Sequence, residues 1–242
     1  MRELSWLWDA VVVPDDRMLD GMRSHRLAIS MRLLAQDFPF AKTTFETLRA
    51  RTEARLAKDP SWDELDGWIA LNLEVLDDGE GRVLAWVDRN KGDEDGRRTL
   101  RRYQGQVEQL LIEHRRWRDV GTLMHRPIAK VRQQDGVMRI GQSIISDPEL
   151  TINDEVINIE VDSVARSIYV QEVTQIIFAL LAAERVDEAI EAAEVGHELR
   201  PDWDMAPAMS ELFDGHKTLR KQALNLLAQR DDVPEWLREA LD

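Results

Sequence analysis

VQEVTQIIFALLAAERVDEAIEAAEVGHELRPDW, residues 170–203, is the stretch on which the fold turns. It opens on an apolar run and closes on a mixed one. No Gly or Pro occurs between Pro148 and Gly196, so the backbone chemistry permits long helices here. Ala189, Ala193 and Gly196 follow one another at steps of four and three, which places three small residues on one helix face. Pro201 ends the run.

These residues resemble a tetratricopeptide repeat, a helix-turn-helix unit with a period of about 34 residues. In that family a small Ala starts the second helix, where the two helices touch closely, and Ala189 matches it. The second packing position is Ala193, the small residue after it is Gly196, and the Pro that ends the second helix is Pro201. Ile177 and Leu180 depart from the family, standing where Gly and Tyr are usual. One period on, Ala223 and Leu227 fall in phase within KQALNLLAQ, and Pro234 falls one residue early. Trp236, Leu237 and Leu241 then read as a terminal capping helix. Upstream, HRRWRDVGTLM (residues 114–124) imitates the same turn, with Val120 in the Ala position.

The resemblance implies stacked hairpins with a concave face lined mainly by first helices. Carried onto this chain, the groove positions are Gln171, Thr174, Phe178, Leu181 and Ala182, then Met205, Ala208, Leu212, Gly215 and His216 in the next repeat. They are mostly small or apolar. A groove of this kind suits an apolar or helical peptide, and the alternative is that the chain's own irregular segment covers it. The Lys and Asn clamp that some family members close on a peptide carboxylate is absent.

Outward from this stretch, helix signals continue. Leu19, Met22, Ile29 and Leu33 share a face over 17–35, and Phe45, Leu48 and Leu56 over 41–58. Ser61 with Glu64 is a capping-box pattern that starts a helix at 62. Helices are expected at 81–90, 97–115 and 117–131. Short turns between them favour antiparallel neighbours. Over 132–162 the rhythm breaks: Ile157, Ile159 and Val161 alternate with Asn158 and Glu160, a strand signal. The expected fold is all-α: antiparallel helical hairpins stacked as a tetratricopeptide-like α-solenoid, with an irregular or short β insertion around 132–162. The expected regions are 1–131, 132–162 and 163–242.

The chain is acidic, with a formal net charge of −14, and 43% of its residues are hydrophobic, enough to fold. It has no cysteine, which excludes disulfides, thiol catalysis and cysteine-based zinc sites and fits a cytoplasmic setting. The N-terminal apolar stretch is interrupted by Asp9 and is not read as a signal peptide. No apolar run is read as a membrane span, so no membrane partner is expected. The eight Trp are scattered, as packing residues are.

Charge is blocked. Residues 59–95 carry twelve acidic and three basic side chains, 97–132 ten basic and three acidic, and 147–204 fifteen acidic and three basic. Arg97, Arg98, Arg101, Arg102, Arg115, Arg116 and Arg118 make the centre of the basic block. Two readings stand: charge pairing between neighbouring helices, or a stripe for nucleic acid or an acidic partner.

No phosphate-binding glycine loop, Rossmann fingerprint or HExxH occurs. Asp93, Asp95 and Gly96 suit three positions of a calcium loop, but Lys91 and Arg102 stand where oxygen ligands are needed. The five His form no ligand pattern. The expectation is a scaffold that binds another protein, not an enzyme, with no cofactor and no metal. Nucleic-acid binding and self-assembly are the alternatives, and the oligomeric state is not legible.

Overall fold

The computed structural model describes residue 8 and residues 27–58, 61–145 and 155–241. Thirteen helices lie among the described residues, and no strand does. The chain divides into two compact units, Met1–Leu110 and Leu111–Asp242. We call them the amino-terminal and carboxyl-terminal units.

The amino-terminal unit starts with α1 (Ala28–Asp37) and α2 (Pro39–Leu56), with Pro39 at the first turn of α2, where its missing N–H removes nothing. Ser61 caps α3 (Trp62–Ala70), accepting from the Glu64 N–H at 3.3 Å, while the Glu64 carboxylate pairs with Arg55 at 2.9 Å. The helix does not stop at Ala70 but widens into a π-helical turn, Leu71–Val75. Then come α4 (Glu80–Asn90) and α5 (Glu94–Arg102), and α6 (Gln104–Glu113) carries the boundary between the units. The expected helix 97–115 is therefore two, broken at Tyr103, whose ψ of 14° leaves the helical region. Asp93 acts as the N-cap of α5, with Oδ1 2.8 Å from the Gly96 nitrogen. Trp8, Ala28, Met31, Phe45, Leu48 and Leu71 form the apolar core.

Inside that unit a polar pin crosses the core. Arg49, 5% exposed, donates to the Asp78 carboxylate at 2.6 and 3.0 Å and approaches Asn72 Oδ1 at 3.4 Å. Asn72 lies on the π turn, fully buried, and its Nδ2 donates to the Trp68 carbonyl at 2.8 Å. Gly79 presses on it so closely that a Cβ there would overlap the Asn72 backbone. The Arg49 guanidinium holds Asp78 below the usual carboxylate range.

The carboxyl-terminal unit holds α7 (Trp117–Leu123), α8 (Pro127–Ile145), α9 (Glu155–Ala182), α10 (Val186–Leu199), α11 (Ala206–Asp214), α12 (Lys217–Leu227) and α13 (Glu235–Glu239). The long helix α9 is central: α7, α8, α10, α11 and α12 all pack on it. Two sequence expectations change here. The helix expected at 117–131 breaks after Leu123, because Pro127 cannot continue it and Arg126 takes a left-handed φ of 55°. The strand signal at Ile157–Val161 lies inside α9, and residues 132–145 belong to α8. Five residues of alternation are too few to fix a period, and the uninterrupted apolar pattern downstream sets the helix. The remainder of the expected insertion, 146–154, lies outside the described residues. Within α9, Ser163–Ala182 is long and apolar enough to cross a membrane, which the reading of apolar runs missed. Half of it is buried inside the protein, so helix packing accounts for that apolarity.

The residues that decided the sequence reading sit at close helix contacts. Ala189 and Ala193 are fully buried, and a Cβ on Gly196 would come 2.7 Å from Val173 Cγ1. Tyr169 donates to the Gly196 carbonyl at 3.0 Å, and burial pushes its hydroxyl up to about 12. The turn before α10 has Glu184 at φ 62°, with the Arg185 N–H bonded to the Leu180 carbonyl. The turn before α7 repeats it: Arg115 at φ 56°, Arg116 N–H to the Leu111 carbonyl. Both are Schellman-type stops. In each, an Arg then pairs three residues on, Arg116 with Asp119 and Arg185 with Glu188. Val120 is buried as Ala189 is, and a Cβ on its neighbour Gly121 would overlap the Ala179 carbonyl of α9. A buried carboxylate on α8, Asp135, takes Arg200 Nε at 2.7 Å and ties α8 to the end of α10.

Candidate functional site

The carboxyl-terminal unit carries a groove of about 460 Å³ between α9 and α11. From α9 it takes Ser167, Val170, Gln171, Thr174 and Gln175, and from α11 and the turn after it Ala208, Glu211, Leu212, Gly215 and His216. Both sets recur at helical steps of three and four, so each is a single face of its helix. Glu211 is exposed and makes no ion pair among the described residues. The Thr174 hydroxyl is turned to its own backbone, 2.8 Å from the Val170 carbonyl.

His216 stands at the groove wall and is held from two sides. The Trp117 indole N–H can only donate, and its Nε1 lies 3.0 Å from His216 Nε2. His216 Nδ1 lies 2.9 Å from the Leu212 carbonyl, which can only accept. This pattern assigns the ring as neutral with its proton on Nδ1. Behind it the aromatic rings interlock: Trp117 meets Phe178 edge-on at 5.0 Å, and Phe178 meets Phe213 at 5.2 Å.

Among the groove residues expected from the family register, the structure brings Gln171, Thr174, Ala208, Leu212, Gly215 and His216 to this one groove. Phe178, Leu181 and Met205 are 1%, 2% and 1% exposed and sit in the core instead. Past Thr174 the expected face winds inward, where Phe178 packs on Phe213. The register missed Ser167, Val170, Gln175 and Glu211, and the three polar ones make the lining more polar than expected. Steps of four from Gln171 reach Ser167 and Gln175, a step of four back from Thr174 reaches Val170, and a step of three on from Ala208 reaches Glu211. Trp117 had no signal of its own, since its bond to His216 spans 99 residues.

The Arg block is largely neutralised in place. Arg97 and Arg101 pair with Glu94 at 3.1 and 2.8 Å, Arg98 approaches Asp95 at 3.9 Å, Arg116 pairs with Asp119, and Arg118 lies 3.6 Å from Glu184. Arg102 belongs to the amino-terminal unit and Arg115 to the carboxyl-terminal unit, so the block is divided between the two. Among the described residues, no three His, Asp or Glu side chains converge as a metal site. Comparison with protein-family models, curated proteins and solved structures gave no match.

Proposed function

We propose that the carboxyl-terminal unit is a tetratricopeptide-like scaffold that holds a segment of a partner protein in the groove between α9 and α11. The observation that carries this reading is the groove itself: one face of α9 and one of α11 line a single cavity of about 460 Å³. The close contacts at Ala189, Ala193 and Gly196 support the repeat assignment, as does the shared turn geometry before α7 and α10. The lining of amides and hydroxyls with apolar Val170, Ala208 and Leu212 suits a peptide that offers both backbone hydrogen bonds and apolar side chains. The reading is of a binding protein rather than an enzyme, working in the reducing setting that the lack of cysteine fits.

The ion pairs described above for the Arg block are mostly local, within one helix or its cap, rather than between neighbouring helices, and nucleic-acid binding stays the alternative reading. The test is occupancy of the groove. A photocrosslinking residue at Gln175 should capture a partner that is lost in the groove-filling variant Ala208→Trp, while the same probe at Gln229 captures nothing. Capture that survives Ala208→Trp in a folded protein would sink the proposal.

A further inference from the structure

A second cavity, on the amino-terminal unit, has a different chemistry. It measures about 630 Å³ and lies among α2, α3, α4 and α5, within the range of about 300–1,000 Å³ typical of small-molecule sites. Trp68, Leu65 and Leu56 are among its apolar walls, and Trp68 is 5% exposed. Trp68 holds Trp86 edge-on at 6.0 Å, and Tyr103 supports Trp86 from another side at 6.3 Å. That clamp fixes the half-buried Trp86 ring as a rigid wall.

The charges divide cleanly. Glu53 Oε1 accepts from Trp68 Nε1 at 3.0 Å and from Arg82 at 3.2 Å, so the Arg82 charge is paired within the protein. Arg89 also lines the cavity and makes no ion pair among the described residues. Arg82, Trp86 and Arg89 follow at steps of four and three along α4, on one face. Asn90 is turned to the Trp86 carbonyl at 2.7 Å and Thr99 to the Asp95 carbonyl at 3.1 Å. What remains is an aromatic slot with one uncommitted guanidinium at its edge, a local positive excess on a chain of net charge −14.

We propose that this cavity binds a small amphipathic carboxylate: a flat apolar body laid against the Trp86 ring and Leu56, with its carboxylate on the Arg89 fork. One guanidinium matches one carboxylate bidentately. A cation would meet two Arg side chains against the single carboxylate of Glu53.

Titration calorimetry on the full chain with three probes of one shape tests this: 1-naphthylacetate, 1-naphthylacetamide and 1-naphthylmethylammonium. The acetate should bind about tenfold more tightly than the amide, the ratio that one charge-assisted hydrogen bond supplies, and the ammonium should not bind. Arg89→Gln should bring the acetate down to the amide's affinity and leave the amide unchanged, whereas Arg89→Lys should restore part of the preference. Ala85→Phe, which fills the cavity from an exposed helix position, should abolish both with the melting temperature kept. Equal affinity for all three probes, no binding of the acetate at millimolar concentration, or an acetate preference that survives Arg89→Gln would overturn the proposal.

Discussion

The two units bring helices together by different means. In the carboxyl-terminal unit, side chains are removed from the contact: Ala189, Ala193, Gly196 and Gly121 let backbones approach until a further carbon would overlap. In the amino-terminal unit, a buried Arg49 reaches across to Asn72 and Asp78, and the helix carrying Asn72 opens into a π turn. The first device is steric and repeats along the chain. The second is electrostatic, and each has a counterpart in the other unit, Asp135 with Arg200 and Gly79 against Asn72. A steric device fails when something is added, and an electrostatic one fails when something is removed.

That contrast can be broken experimentally. Ala189→Arg should be the most damaging change, lowering stability by about 4 kcal/mol or more, since a charged side chain has neither room nor partner there. An unchanged melting temperature would contradict the close contact. Asp135→Ala should cost about 3 kcal/mol in urea denaturation, because it strips Arg200 of its buried carboxylate. A loss that large would also show that the carboxyl-terminal unit uses removable pins as well as small residues. Gly79→Ala should cost about 2 kcal/mol although Ala favours helices, because the added carbon meets the Asn72 backbone. That result would carry the steric device into the amino-terminal unit.

Asp78→Asn sharpens the electrostatic side, with an expected loss of about 1 kcal/mol near neutrality. The folded carboxyl is held below its unfolded value, so its contribution is present above that value, about 3.9, and is lost as pH falls through the lower folded one. The stability gap between wild type and Asp78→Asn should be flat from pH 8 to 5 and close in acid. A gap that widens in acid would reverse the sign and refute the pairing. The smallest effect has the opposite direction. Glu184→Gly should raise stability by about 0.5 kcal/mol, because Gly accepts the left-handed φ of 62° without strain while adding some unfolded-state entropy.

The steric device was legible in sequence because it demands particular residue types at a fixed spacing. Ala189, Ala193, Gly196 and Pro201 announced the α9–α10 hairpin, and Ser61 with Glu64 announced the start of α3. Half of the groove followed by register, until Phe178 turned inward. What could not be read were the single long-range pairings. Arg49 with Asp78, Asp135 with Arg200 and Trp117 with His216 each join distant positions with no periodic signal. The strand signal at 157–161 misled because five alternating residues do not fix a period within a 28-residue helix.

The His216 ring offers something beyond its part in the groove wall. Its two nitrogens are chemically distinct, one protonated against the Leu212 carbonyl and one accepting from Trp117. A ring held in one tautomer has well-separated nitrogen-15 resonances. Since His216 borders the groove, those resonances form a label-free meter of occupancy: a bound segment that nudges α11 shifts them, and one that docks elsewhere leaves them in place.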